Sequence, residues 1–460
     1  MSEGKLSRRE MLRNAALGSI GLGLLGNSAS SAENSESLVE SAITETPATA
    51  KTMIGVPFEK RDKLRIGIVG VGERGKSMIH DLNGIENLEI KALCDNVKAN
   101  AEEGKAMIEK AGKPTPAMYT DGDHAFEKLC ERDDIDFVYS PTPWEWHAPV
   151  ALAAMKNGKH VGVEVPMATT IKELWELVDM SEKTRKHCLM MENCNYDFNE
   201  TLVLNMVRDG VLGEITHGEA AYLHDLRWIL NEGRSEGLWR RAWHTRLNGN
   251  LYPTHGLGPV ANYMNINRGD KLDYLVSMSS PSRSLDLYRE QTVPKDSPKW
   301  KEKYIAGDMN TTLIKTNKGL TIKVQHDTST PRPYDRINLI QGTKGLFRDY
   351  PARILVEGQE EKHKFTNLDK YKEKYTHWLW KKLGKDAQNA GHGGMDYIMA
   401  WRLVQCFREG LAPDMDVYDG ASVSAPFPLS AESVAKGSMP IKIPDFTRGG
   451  WGNKRDSIPS

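Results

Sequence analysis

The chain has 460 residues, with 61 basic against 62 acidic side chains and a net charge of −1. That length exceeds one ordinary hydrophobic core, so two domains are expected. The charge balance removes the electrostatic case for a nucleic-acid partner.

In chain order, the first segment is not expected to belong to the fold. "SRREMLRNAALGSIGLGLLGNSASSA" has paired arginines, a short apolar run and small residues near Ala32. Ser7-Arg8-Arg9 with Leu12 fits a twin-arginine export signal over residues 1–32, with Met11 where phenylalanine is usual. The apolar run is too short and glycine-rich to span a membrane. Periplasmic or secreted location follows as an expectation. Export after folding suits a protein that loads a tightly held cofactor in the cytoplasm. A polar linker is expected over 33–60. Five cysteines, at positions 94, 130, 188, 194 and 406, show neither metal-ligand spacing nor a dense disulfide pattern. Cys188 and Cys194 read as buried thiols, and no metal is expected.

A dinucleotide-binding domain is expected over 61–195. "KLRIGIVGVGERG" is an apolar strand followed by Gly70, Gly72 and Gly75 in G-x-G-x-x-G spacing, with Glu73 and Arg74 inside the loop. The first glycine permits the tight turn, the second lets a pyrophosphate approach, and the third lets helix and strand pack closely. The next strand, "LEIKALCD", ends at Asp95, where an acid binds ribose hydroxyls and repels a 2′-phosphate. NAD is thus favoured over NADP, although Arg74 leaves a role on a 2′-phosphate open. Strands and helices then alternate to "HCLMMENC", which implies a doubly wound parallel sheet. Ligands bind past the carboxyl ends of such strands. That places Trp144, Glu145, Trp146 and His147, then Glu164 and Val165, then Asn193 against the nicotinamide side.

After residue 200 the pattern changes to strands with hairpin turns, such as Thr316-Asn317-Lys318-Gly319. An α/β domain with a large, open, mainly antiparallel sheet is expected over 196–434, and an irregular tail over 435–460. A late helix, "GGMDYIMAWRLVQCFREG", is expected to pack back across the domains. Tyr222 and His224 alternate onto one face of a strand. Pro253, Gly256, Gly258 and Pro259 argue that "LYPTHGLGP" is a stiff loop rather than a helix interior. It would hold Tyr252 and His255 for proton transfer near neutral pH. His392, between glycines, either reaches the site or only begins the late helix.

The first half resembles the glucose–fructose oxidoreductase and inositol dehydrogenase superfamily. In that superfamily a strand ends in Glu-Lys-Pro and the lysine handles the proton. Here the triplet is Glu164-Val165-Pro166, which puts a plain dehydrogenase in doubt. "WEWH" (144–147), "EVP" (164–166), "AAYLHDLR" (220–227), "LYPTHGLGPVANYMNINRGD" (251–270) and "GHGGMDY" (391–397) together resemble glycoside hydrolase family 109 over the whole mature chain. The resemblance implies an NAD-dependent, retaining α-N-acetylgalactosaminidase. It makes Tyr222, Tyr252 and His255 catalytic, and adds Arg240, Pro253, Thr254 and Tyr334 as sugar ligands. No carboxylate pair of an ordinary glycosidase stands out, which fits an oxidation–elimination route. The base at C2 is then Tyr222 or His255. The implied partner is a glycan, and the sheet face of the second domain a dimer surface. The alternatives are a periplasmic sugar oxidoreductase with net NAD(P) turnover and an inactive sugar-binding protein.

Overall fold

The computed structural model describes residues 51–460, so the expected export signal and the linker up to residue 50 lie outside the described residues. The first layer is a six-stranded parallel sheet. Its strands are β1 (Leu64–Val69), β2 (Leu88–Cys94), β3 (Ala117–Tyr119), β4 (Phe137–Ser140), β5 (His160–Val163) and β6 (Cys188–Met190), in the order β3-β2-β1-β4-β5-β6. The central strands are buried on both faces, as crossover helices require. Those helices are α1 (Glu73–Asn83), α2 (Lys98–Lys110), α3 (Phe126–Cys130), α4 (Trp144–Lys156) and α5 (Ile171–Thr184). Helix α5 starts where the sequence says it should. Thr170 accepts from the Glu173 amide at 3.2 Å, and the Glu173 carboxylate accepts from the Thr170 amide at 3.0 Å.

Helix α6 (Phe198–Arg208) leads into the second sheet. Its strands are β7 (Ile215–Leu223), β8 (Leu272–Ser279), β9 (Asn310–Thr316), β10 (Thr321–Asp327), β11 (Leu339–Gly342), β12 (Gly345–Arg348), β13 (Arg353–Val356) and β14 (Ile441–Lys442). Their order is β13-β12-β11-β7-β10-β9-β8-β14, antiparallel except for the β7–β10 pair. The fold class is therefore the expected one. Helices α7 (Arg240–Arg246), α8 (Thr254–Tyr263), α9 (Met395–Glu409), α10 (Val417–Ser424) and α11 (Pro426–Ala435) fill the space between and beside the sheets. Among the described residues no helix is long and apolar enough to cross a membrane, and all five cysteines are free and buried.

Three stretches depart from expectation. The glycine- and proline-rich segment around His255 is a helix, α8, and not a loop. A Cβ on Gly256 would lie 2.3 Å from the Ala221 backbone nitrogen, so the glycine lets α8 sit directly on β7. The tail after 435 is packed: β14 adds to the edge of β8, and Phe446 and Ile458 are wholly buried. Residues 51–60 of the expected linker also pack. Met53 is buried and donates its amide to the Tyr418 hydroxyl, while the Phe58 ring stacks on Phe407 at 4.0 Å.

Candidate active site

A cleft of about 300 Å³ runs along the carboxyl ends of β1, β2, β4, β5 and β6 and is roofed by the second domain. At one end lies the glycine loop. Gly70 adopts φ +96°, and a Cβ there would come within 3.0 Å of the Pro141 carbonyl oxygen. A Cβ on Gly75 would lie 2.2 Å from the Gly70 carbonyl oxygen, which is the close helix–strand contact. Gly72 faces open space, and the N-terminus of α1 opens behind it at Glu73. Asp95 lines the same end, its carboxylate accepting from the amides of Val71 (2.7 Å) and Val97 (2.8 Å). Gly70 and Gly75 are shaped for tight packing and Gly72 for access, so the residues present fit a dinucleotide.

Arg74 is fully committed. Its Nε donates to Glu164 at 2.8 Å, and its other nitrogens donate to Asp396 at 2.6 and 3.1 Å. It therefore does not serve a 2′-phosphate. Glu164 also accepts from the Tyr139 hydroxyl. Asp396 further accepts from Asn193 Nδ2 at 2.7 Å, and His392 Nδ1 lies 2.7 Å from it. Burial would raise the Asp396 pKa, but Arg74 and His392 hold it well below the usual carboxylate range. Val165 is buried at the cleft wall. Of the two alternatives open for His392 the structure shows the first: it adopts φ +50° and reaches the cleft over Arg74.

The tetrad 144–147 divides. Trp144 is buried in the cleft wall and lies nearly parallel to the Tyr252 ring at 5.7 Å, joining the two domains. His147 lines the cleft, but its ring nitrogens face the carbonyl oxygens of Pro166 (2.7 Å) and Thr142 (2.9 Å). Burial lowers its pKa. It fixes two loops and has no polar atom left for the cofactor. Trp146 lines a smaller pocket beside Asp95 and meets Phe126 edge-on at 6.0 Å. Glu145 is exposed and does not line the cleft, which corrects its assignment as a cofactor contact. Consecutive side chains on a helix point about 100° apart, so four in a row cannot all face one ligand.

The opposite end of the cleft gathers Tyr222, Arg240, Tyr252 and His255. Tyr222 and Tyr252 lie 4.5 Å apart, centroid to centroid. The Tyr222 hydroxyl is 3.1 Å from His224 Nδ1. The Arg240 guanidinium lies 4.8 Å over the Tyr252 ring and donates to Glu236 at 2.6 Å. Burial pushes the Tyr222 hydroxyl up to about 12, against the opposing pull of Arg240, and pushes Tyr252 well above its ordinary value. Both tyrosines are therefore neutral donors at physiological pH. Pro253, the N-cap of α8, and Thr254, its first residue, are buried and lie outside the residues lining the cleft. Tyr334 packs edge-on against Tyr222 at 6.0 Å and accepts from Arg336 at 3.2 Å, outside the cleft lining.

One residue the sequence reading missed is Glu192, just beyond β6. It is wholly buried, and its Oε1 accepts from His255 Nδ1 at 2.8 Å and from the Cys194 amide at 3.1 Å. Burial would raise its pKa, but His255 and the Cys194 amide hold it below the usual range. The signal was an acid closing an apolar strand, the same signal read at Glu164. Glu192, Cys194 and His255 present atoms within 4.8 Å of one another. Burial pushes the Cys194 thiol well up, which disfavours the thiolate a metal needs. The hydrogen bonds account for the grouping. Glu164 and Glu236 on the cleft wall, and Glu192 buried behind it, are each paired with a basic side chain, Arg74, Arg240 and His255. None is left as the acid or nucleophile of an ordinary glycosidase.

The fold and the cleft define a two-domain enzyme built on an NAD-binding Rossmann domain, with a cluster of tyrosine, histidine and arginine from the second domain facing the cleft. Residues 64–192 match the family of oxidoreductases with an NAD-binding Rossmann fold, and residues 196–453 match the C-terminal domain of glycosyl hydrolase family 109. A glycosyl hydrolase family 109 protein of Solibacter usitatus is 53% identical over 450 residues, covering 97% of this chain and 98% of that one. An alpha-N-acetylgalactosaminidase of Shewanella oneidensis is 52% identical over 417 residues, covering 89% and 91%. The chain belongs to glycosyl hydrolase family 109. Among solved structures, a levoglucosan dehydrogenase in complex with NADH shares the fold with a TM-score of 0.65 at 19% identity, over 83% of this chain and 100% of that one. A scyllo-inositol dehydrogenase of Lactobacillus casei with NAD(H) and scyllo-inositol gives 0.59 at 14%, over 83% and 99%.

Proposed function

We propose that this glycoside hydrolase releases terminal α-linked N-acetylgalactosamine by NAD-dependent oxidation, elimination, addition and reduction, with retention at C1. The observation that carries the reading is the pairing of Glu164, Glu192 and Glu236 with basic side chains, beside a cluster of tyrosine, histidine and arginine. The named activity of the Shewanella oneidensis relative supports the sugar.

NAD, when bound, supplies a reversible hydride acceptor for the sugar's C3. The glycine loop and Asp95 would hold its pyrophosphate and ribose, with Glu164, Val165 and Asn193 at the other end. Arg240 and the neutral tyrosine hydroxyls orient the sugar and polarise its oxygens. A C3 ketone acidifies the C2 proton, and a base of the second domain removes it. The C1–O1 bond then breaks, water adds at C1, and C2 is reprotonated. Hydrolysis in D₂O tests the route: deuterium is expected at C2 of the released sugar, and none with active enzyme sinks it. A keto-sugar product without release of the aglycone would point instead to a net oxidoreductase.

Three further readings belong to this proposal. Retention of NAD through purification, seen as bound absorbance at 260 and 340 nm, would fit a cycle that regenerates its cofactor. Export by the twin-arginine route rests on Arg8-Arg9, and an Arg8→Lys/Arg9→Lys variant should stay in the cytoplasm. A homodimer through the outer face of the second sheet is supported by exposed Met278 and Leu313 on neighbouring strands; light scattering of the Leu313→Lys variant tests it.

A further inference from the structure

The geometry around Glu192 singles out one base. The only atoms neutralising this wholly buried carboxylate are His255 Nδ1 and the Cys194 amide, both on Oε1; Oε2 has no hydrogen-bond partner among the described residues. A half-satisfied buried carboxylate is a cost that folding alone gives no reason to keep. Helix α8 is shaped for it: a Cβ on Gly258, one turn from His255, would come within 3.0 Å of Glu192 Cγ. A carboxylate accepting at Nδ1 selects, for the neutral ring, the Nδ1–H tautomer, in which Nε2 carries the lone pair. That Nε2 lies 3.4 Å from the Tyr252 hydroxyl at the substrate end of the cleft. The tyrosines are neutral there, and His224 meets the Tyr222 hydroxyl at Nδ1 where His255 meets a carboxylate, so His255 is the ring whose tautomer is set by an acid.

We infer that Glu192 is a positioning residue for proton removal at C2: it holds the Nδ1–H tautomer of His255 so that Nε2 faces the sugar as the base. The inference rests on the proposed function above. In the step, Nε2 takes the C2 proton and the C2–H electron pair forms the C1=C2 bond. The C1–O1 pair leaves with the aglycone oxygen, which takes a proton that the incoming water later replaces. The imidazolium is balanced by the Glu192 carboxylate. After water adds at C1, Nε2 returns a proton to C2.

Two measurements test it. The first needs no substrate: ¹⁵N NMR of the histidine-labelled holoenzyme, with His255→Asn to assign the signal. A protonated Nδ1 and a bare Nε2 are expected; the opposite tautomer overturns the inference. The second follows the Glu192→Gln holoenzyme with N-acetylgalactosamine in D₂O. Exchange at C2 should fall at least about 100-fold, while the rise at 340 nm on adding sugar stays within a few-fold of wild type. Unchanged exchange, or loss of both signals in step, overturns it. Glu192→Asp should exchange faster than Glu192→Gln. If wild-type enzyme shows neither exchange nor a rise at 340 nm, the proposed function fails. The tautomer still decides Glu192 and His255 separately, and does so even if the glutamine variant does not fold.

Discussion

At the scale of single residues, what a side chain does is set by which partners reach it first. Arg74 stands inside a glycine loop, where sequence spacing alone leaves it free for a phosphate. In three dimensions Glu164 and Asp396 claim it, the second from more than three hundred positions away. Removing it as Arg74→Met takes the ion-pair partner from the buried Asp396 and the half-buried Glu164, with an expected loss of about 3 kcal/mol in urea unfolding and weaker cofactor binding. Asp95 shows the opposite case. Its role was legible because it depends on local order: a strand, a loop and an acid at the next strand end. Asp95→Ala should weaken NAD reconstitution about tenfold and narrow its preference over NADP, since the carboxylate that repels a 2′-phosphate is gone. It should also cost roughly 1 kcal/mol, because two backbone amides lose their acceptor. Glu192 escaped notice because its meaning lies in His255, on another domain.

At the scale of elements, the parallel sheet was legible because each βαβ unit is nearly self-contained. Apolar runs, glycines and helix starts recur in step, so β1, β2, β4, β5 and β6 could be placed strand by strand, while the three-residue edge strand β3 could not. Helix α8 was not. Glycine and proline penalise an isolated helix, and "THGLGPVANY" carries both. Here tertiary contact overrides propensity: Gly256 and Gly258 are the price of bringing α8 onto β7 and Glu192 at backbone distance. The prediction is sharp at Gly256. A methyl group there meets the Ala221 backbone, which cannot turn aside as a flexible side chain can. Gly256→Ala should destabilise by about 1–3 kcal/mol or more, lower the thermal midpoint and reduce turnover by tilting His255. Gly258→Ala faces the Glu192 stem at 3.0 Å and should cost less stability while still slowing turnover. The tail β14 was illegible for a related reason: two residues have no periodicity, and only pairing with β8 makes them a strand.

At the scale of the whole molecule, the buried imidazoles give the protein a pH dependence that no single site explains. His147, His160, His187, His244, His326 and His377 are all buried. Burial lowers each pKa: His160 to about 2, and His187, His244 and His377 to about 4, with His160 and His187 stacked so that each also disfavours a proton on the other. In the unfolded chain these groups titrate near about 6.5. Above that pH both states are neutral and nothing is gained or lost. Below it the unfolded chain takes up protons that the native state refuses, so stability falls from about pH 6.5 down to the folded pKa values. The limiting slope is about 1.4 kcal/mol per pH unit for each imidazole. Burial acts in the opposite sense on Asp416, raised to about 6, and on Glu200 and Asp349. These carboxyls bind protons more readily in the native state, so between about pH 6 and 4 they offset part of the loss. Six imidazoles against three carboxyls leave a net decline. The urea midpoint should therefore fall between pH 7 and pH 5, before Asp396 and Glu192, whose pKa values are depressed, add their own loss at lower pH. His187→Asn, which cannot take up a proton, should shrink the drop between pH 7 and pH 5 by about one imidazole's share, whatever it does to stability at pH 7. A midpoint that stays level from pH 7 to pH 5, or a drop unchanged in His187→Asn, would mean that these rings are not the neutral groups their burial makes them.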